Sequence, residues 1–327
     1  MKLFYVFSCI LALLLLYISI VIGRFEVSTS NIISLIKGEN LPQHVEKVIL
    51  SIRLPRFILS LIVGAGLSIS GAAFQSMFQN RLASPDILGV SNGAAFGAAF
   101  AILFFSGSTK VLIVTAFIFG IVAVVLTYTI SQIQKSRQTI TLILSGIIVG
   151  SFFSALLSFL KLVADTDQAL PAITYWLMGS FIGASFYKII VAGTPILFGI
   201  IILIMMRFRL NILSLGDDEA FYLGINPRNN RLIIIFVCTL ISASCVMVSG
   251  IIGWVGMIVP NLMRQFFGAD NKNLIPSSAI FGGVFMVVMD LLARSISEAD
   301  IPIGILTAIV GAPIFVLVFK RFDGGGK

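Results

Sequence analysis

The chain has 327 residues, 58% of them hydrophobic and 11% charged, with a mean hydropathy of +1.08 and a formal net charge of +8. Soluble domains carry about 25% charged residues, so a soluble fold of this length would lack the polar surface to cover itself. The basic excess lies between apolar runs, where membrane topology and lipid headgroups account for it, and no nucleic-acid partner is expected.

In chain order, ten apolar runs stand out, at roughly 3–23, 57–78, 87–105, 111–131, 139–163, 187–206, 232–250, 254–267, 276–297 and 303–319. Most are near-continuous over about twenty residues, the length of a helix that crosses a bilayer. A barrel would instead show segments of alternating polarity about ten residues long. Hydrocarbon requires every backbone N–H and C=O to be paired internally, and helices meet that demand within one segment. The expected fold is an all-α polytopic integral membrane protein, with about ten spans in one compact bundle and a single transmembrane domain over 1–327.

The first run follows Met1-Lys2 but is too long for a signal-peptide core and lacks a small-x-small cleavage site, so it reads as a span. Residues 24–56 read as an outer loop. Residues 165–183 read as a half-helix on the membrane surface. The eighth run is short and contains Pro260, which leaves nine spans open. Gly324, Gly325 and Gly326 read as a frayed tail.

With ten spans and both termini inside, the inner side holds most of the 22 Lys and Arg residues. Against that trend Arg24, Lys37, Lys47, Arg53 and Arg56 all fall in the outer loop. Glycines recur at four-residue spacing: Gly89, Gly93 and Gly97, then Gly146 and Gly150, then Gly179 and Gly183. Such spacing lets helix backbones approach closely in lipid. Cys238 and Cys245 are seven apart on one helix, about 10 Å along its axis, too far for a disulfide. They read as small buried apolar residues.

Reactive groups are scarce. His44 is the one histidine and lies in the outer loop; no HExxH, CxxC, GxSxG or P-loop motif occurs. An ion-coupled carrier would need ionisable groups near the midplane. Asp290, with Arg294 one turn on, reads as a local ion pair near the interface ahead of a proton relay. Asp86 follows Pro85 at the start of the third span, where helix-start chemistry explains it. Any energy for transport therefore comes from another chain.

The stretch 207–231 is long for a connection in a bundle and carries Asp217-Asp218-Glu219-Ala220-Phe221-Tyr222-Leu223-Gly224 in its middle. An acidic start and a closing glycine are the signals of a short helix. The flanking Arg207, Arg209, Arg228 and Arg231 place it in the cytoplasm. It reads either as a solvated surface helix or as a docking helix that receives force from a motor.

Several stretches together resemble the iron-siderophore and vitamin B12 permeases of bacterial ABC importers, the FecCD family. They are Arg53-Leu-Pro-Arg56, Gly64-Ala-Gly-Leu-Ser-Ile-Ser-Gly71, Gln79-Asn-Arg-Leu-Ala-Ser-Pro-Asp86, Leu88-Gly-Val-Ser-Asn-Gly93, Gly253-Trp-Val-Gly-Met-Ile-Val-Pro260, Ile301-Pro-Ile-Gly304 and Gly311-Ala-Pro313. Each is weak alone; their ordered combination over about 50–320 is specific.

The resemblance implies a ten-span permease subunit in a bacterial plasma (inner) membrane, both termini cytoplasmic. Its implied partners are a second permease subunit, identical or paralogous, a cytoplasmic ATPase dimer and an extracytoplasmic substrate-binding protein. ATP and Mg would sit on the ATPase, with no cofactor or metal on this chain. Arg53, Arg56 and Arg294 match the family's outward arginines, which pair with acidic residues of the binding protein. Asp217, Asp218, Glu219, Ala220, Phe221, Leu223 and Gly224 match its ATPase-coupling helix. Thr139, with its neighbour Gln138, matches an inner-gate position, although a hydroxyl at a helix start also reads as a cap. The chain departs from common family forms at Arg81, where proline is frequent, and at Asn261, where histidine is frequent. The implied cargo is an iron chelate, ferric siderophore first, with haem, cobalamin and oxyanions such as molybdate left open. The rival reading is an ion-coupled secondary transporter.

Overall fold

The computed structural model describes residues 2–23, 25–39, 41–105, 107–133, 138–297 and 299–323. Among them every regular element is helical. The chain runs through α1 (Lys2–Val21), α2 (Thr29–Lys37), α3 (Gln43–Lys47), a π-helical turn (Val48–Arg53) and α4 (Leu54–Met77). A 3-10 turn (Pro85–Leu88) leads into α5 (Val90–Phe104), α6 (Thr109–Ser131), α7 (Gln138–Val163), α8 (Ala169–Leu177) and α9 (Phe186–Leu213). Then come α10 (Asp217–Tyr222), α11 (Pro227–Ser249), α12 (Val255–Phe267), α13 (Asn271–Ser295) and α14 (Ile303–Asp323).

Helices α1, α4, α5, α6, α7, α9, α11, α12, α13 and α14 occupy the ten apolar runs. Among the described residues seven helices are long and apolar enough to cross a membrane, while α5 and the apolar part of α14 are shorter. The 13-residue α12 is shorter still. At helical rise it covers about 20 Å of a hydrocarbon core about 30 Å thick. The non-helical stretch 250–254, with left-handed φ at Gly250 and Trp254, leads from α11 into it. Pro260 is accommodated inside α12.

Helix α4 is the axis of the bundle, contacted by α9, α11, α12 and α13. Small residues make this possible. Gly64 lies against the Gly282 carbonyl of α13, and Gly71 against the Gly256 carbonyl of α12. Gly93 and Gly97 likewise meet carbonyls of α6, and Gly146 meets the Ile87 carbonyl, as their spacing predicts. Gly179 and Gly183 behave differently. Both hold left-handed φ, 74° and 69°, in the turn after α8, so their four-residue spacing is a turn requirement and not helix packing. Cys238 and Cys245 are buried and unpaired to each other.

Three boundaries differ from expectation. Residues 24–56 are not an open loop. They fold as α2, α3 and the π turn over a small core of Val27, Val45 and Ile49. Pro55 cannot donate to the carbonyl of residue 51, and the turn just before it widens to π geometry. The surface half-helix expected over 165–183 contracts to the nine residues of α8. The inner loop 207–231 contracts to 214–226, because α9 persists to Leu213 and α11 begins at Pro227.

Candidate docking sites at the two ends of the bundle

Two polar regions lie at opposite ends of the bundle. At one end α4 begins, α1 and α13 finish, and the three expected docking arginines gather. Arg53, only 5% exposed, donates to the carbonyls of Ile20, Val21 (3.2 Å) and Phe25 (2.6 Å). Arg294 donates to Ile22 O (2.9 Å), Ser19 O (2.9 Å) and Ser19 Oγ (2.7 Å). The last carbonyls of a helix have no partner inside it. Here two guanidiniums supply the missing donors to the end of α1, and their charge suits the negative end of a helix dipole.

Arg56 bridges two carboxylates: its Nε donates to Asp290 Oδ1 at 2.8 Å and its Nη1 to Asp300 Oδ2 at 2.7 Å. Asp290 is 2% exposed. Its other oxygen lies 3.9 Å from Arg294 Nε. The expected Asp290–Arg294 pair is therefore the longer contact, and the main partner of Asp290 comes from α4. The three arginines are thus placed together, but as internal staples with largely covered side chains. Asp300 could not be assigned from sequence, because it lies 244 positions from Arg56.

At the opposite end, the six residues of α10 hang between α9 and α11. Ala220 is 0% exposed and anchors the helix. Asp217 Oδ1 pairs with Arg231 Nη2 at 2.7 Å. Gly224, with φ of 79°, ends the helix: its N–H reaches Phe221 O (3.0 Å) and that of Ile225 reaches Ala220 O (2.9 Å). This is the double closure that a glycine at the helix end permits. The tip beyond the anchor is apolar and bare, with Phe221 70%, Tyr222 87% and Leu223 58% exposed. Asp217, Asp218 and Glu219 crowd the first turn, where acidic charge suits the dipole.

A hydrogen-bonded chain joins this end to the bundle. Asn211, in the last turn of α9, donates to Asp270 Oδ1 (2.7 Å) and accepts from the Asn271 N–H (2.7 Å). Ser76 of α4 donates to Asn271 Oδ1 at 2.7 Å. The Asn211 amide and the Lys272 N–H hold the Asp270 carboxyl below its usual pKa. Beside them Arg264 donates to Gln75 Oε1 and to Asn261 Oδ1, the latter at 3.1 Å. Asn261 Nδ2 in turn donates to the Arg81 carbonyl at 3.0 Å. The two positions that depart from common family forms, Arg81 and Asn261, are therefore in direct contact.

Asp86 accepts a hydrogen bond from Ser91 Oγ, a helix-start role. The side chains of Gln138 and Thr139, the expected inner gate, lie outside the described residues, though both belong to the first turn of α7. Among the described residues no group of three or more His, Cys, Asp or Glu could hold a metal ion.

A many-helix membrane bundle with a staple at one end and a bare-tipped helix at the other has the build of a transport subunit. The model of the FecCD transport family matches residues 11–321. The molybdate import system permease of Haemophilus influenzae is 40% identical over 313 residues, covering 94% of this chain and 93% of that protein. A Helicobacter pylori protein named as a probable iron chelatin transport system permease is 38% identical over 277 residues, 85% of this chain and 83% of its own length. A solved ABC transporter assigned to the metal-chelate type, in an inward-facing conformation, superposes with a TM-score of 0.89 at 38% identity. That match covers 98% of this chain and 99% of the other. The chain belongs to the FecCD transport family: it is an ABC importer permease and a multi-pass membrane protein.

Proposed function

We propose that this chain is the membrane pathway of a binding-protein-dependent importer that carries a metal chelate, a ferric siderophore first, across a bacterial plasma membrane. The observation that carries the reading is α10, a short helix clamped at its base and apolar at its tip. An ATPase dimer would receive Phe221, Tyr222 and Leu223 in a cleft, on the cytoplasmic side, with both termini on that side. Movement of α10 would pass through Asn211 to the α12–α13 turn and to α4, which are joined by hydrogen bonds. Packed helices have discrete arrangements, so such a push tilts spans between two states and does not deform them continuously.

The binding protein would dock at the arginine end. Arg53, Arg56 and Arg294 would act there chiefly by holding α1, α4 and α13 in one rigid face, with the Arg56–Asp300 pair at its rim. Gln138 and Thr139 would form part of the inner gate. A second permease subunit would complete the passage. ATP and Mg would stay on the ATPase, and this chain would form no covalent bond with the cargo.

A second cargo, an oxyanion such as molybdate, is favoured by the 40% identity to the molybdate permease. Proteoliposomes holding this chain with its ATPase and binding protein separate the alternatives. Labelled ferric chelate should enter, and molybdate should not compete. Entry should stop on ATP depletion and persist after ion gradients collapse. The reverse pattern would return the protein to the ion-coupled carriers, with Asp290 or Asp86 as the titrating group.

A further inference from the structure

The perimeter between α6 and α11 is grooved. A cavity of about 150 Å³ runs between Ile121, Val125 and Tyr128 of α6 and Leu232, Phe236 and Thr239 of α11. Val125 and Phe236, on its lips, are exposed. Towards the α10 end it continues into a smaller pocket that shares Tyr128 and Leu232 and adds Gln132, Arg228 and Arg231. The groove is therefore apolar along its length and cationic at one end only.

Charge complementarity identifies the occupant. Arg228 is exposed and makes no hydrogen bond or ion pair among the described residues. Arg231, beside it in the same pocket, pairs with Asp217 at 2.7 Å. Outside the bundle the solvent at groove depth is hydrocarbon, so an acyl chain is the ligand at hand. Basic clusters at the membrane surface select anionic headgroups. Tyr128, at the junction of the two cavities, is the residue type that sits at headgroup depth.

We propose that the α6–α11 groove seats an acyl chain of an anionic phospholipid, with its phosphate against Arg228 and Arg231. Because Arg231 also holds the first residue of α10, the headgroup and α10 share one guanidinium. That consequence rests on the reading of α10 as the coupling element; lipid binding itself does not.

The test is native mass spectrometry of the purified full chain, titrated with phosphatidylglycerol, phosphatidylcholine of the same acyl chains, or glycerol phosphate. One basic residue near the surface adds about 1 kcal/mol of attraction for anionic lipid, or about fivefold in affinity. Phosphatidylglycerol should therefore be retained at least about tenfold better than phosphatidylcholine. Arg228→Gln should cut that preference about fivefold. Val125→Trp, which fills the lip of the groove, should lower retention of both lipids. Thermal unfolding in zwitterionic detergent checks that both variants are folded. Equal retention of the two lipids, or retention indifferent to Arg228→Gln, overturns the proposal. Binding of glycerol phosphate as tight as that of the lipid overturns the acyl site. Cross-linking of two copies through Phe236→Cys would give the groove to a second permease and overturn it as well. None of these outcomes depends on transport, so the importer reading stands or falls separately.

Discussion

The two ends of the bundle use charge in opposite ways. At the arginine end three guanidiniums are turned inward and bonded to Asp290, Asp300 and the last carbonyls of α1. At the α10 end one ion pair clamps the base of a helix whose tip is bare and apolar. The difference teaches how to read a polar segment in a membrane protein. Charge covered by its own chain mostly holds shape, because an unpaired charge out of water is costly. Apolar surface left bare on a short, braced helix is what a contact would cover.

The sharpest way to break this contrast is Arg56→Ala. It strands the nearly covered carboxylate of Asp290, and removing one partner of such a pair costs about 3–5 kcal/mol. Thermal unfolding of the purified chain in detergent should show a large loss, and adding Asp290→Asn and Asp300→Asn should restore much of it. If unfolding were unchanged while capture of the binding protein fell, Arg56 would be a docking charge first and a staple second.

Next in size is the double substitution Phe221→Ala with Tyr222→Ala. Both side chains are exposed, so unfolding should stay within about 0.5 kcal/mol of the parent. Uptake driven by ATP should fall about tenfold or more, since buried aromatic anchors dominate contact energies. Unimpaired uptake would make α10 a solvated surface helix.

The smallest effect is expected from Gly224→Ala. Nothing lies within 4 Å of the added methyl, so only the left-handed backbone objects, at about 1–2 kcal/mol. Hydrogen exchange at the Ile225 amide, which closes α10 onto Ala220, should quicken while global unfolding moves little. No change in that exchange would mean that the glycine does not control the end of α10.

The legible part of this protein is what depends on neighbours within a few residues. Apolar runs become helices because hydrocarbon leaves the backbone no other partner than the turn below. Gly93 and Gly97 of α5 and Gly146 of α7 packed as their spacing predicts, and the acidic start and glycine stop of α10 are local signals too. The turn at Gly179 and Gly183 shows the limit of spacing alone: identical intervals serve a helix face or a bend, and only the backbone distinguishes them.

The sequence by itself determined the solvent, the helical class, the approximate spans, the place of α10 and, through its ordered motifs, the family. Tertiary structure alone brought Arg53, Arg56 and Arg294 to the end of α1, Asp290 and Asp300. It also brought Arg81 against Asn261 and closed a groove between α6 and α11. Helix formation is settled between residues four apart. Pairing across a bundle depends on where distant helices cross, and the 244 positions between Arg56 and Asp300 carry no local trace of that crossing.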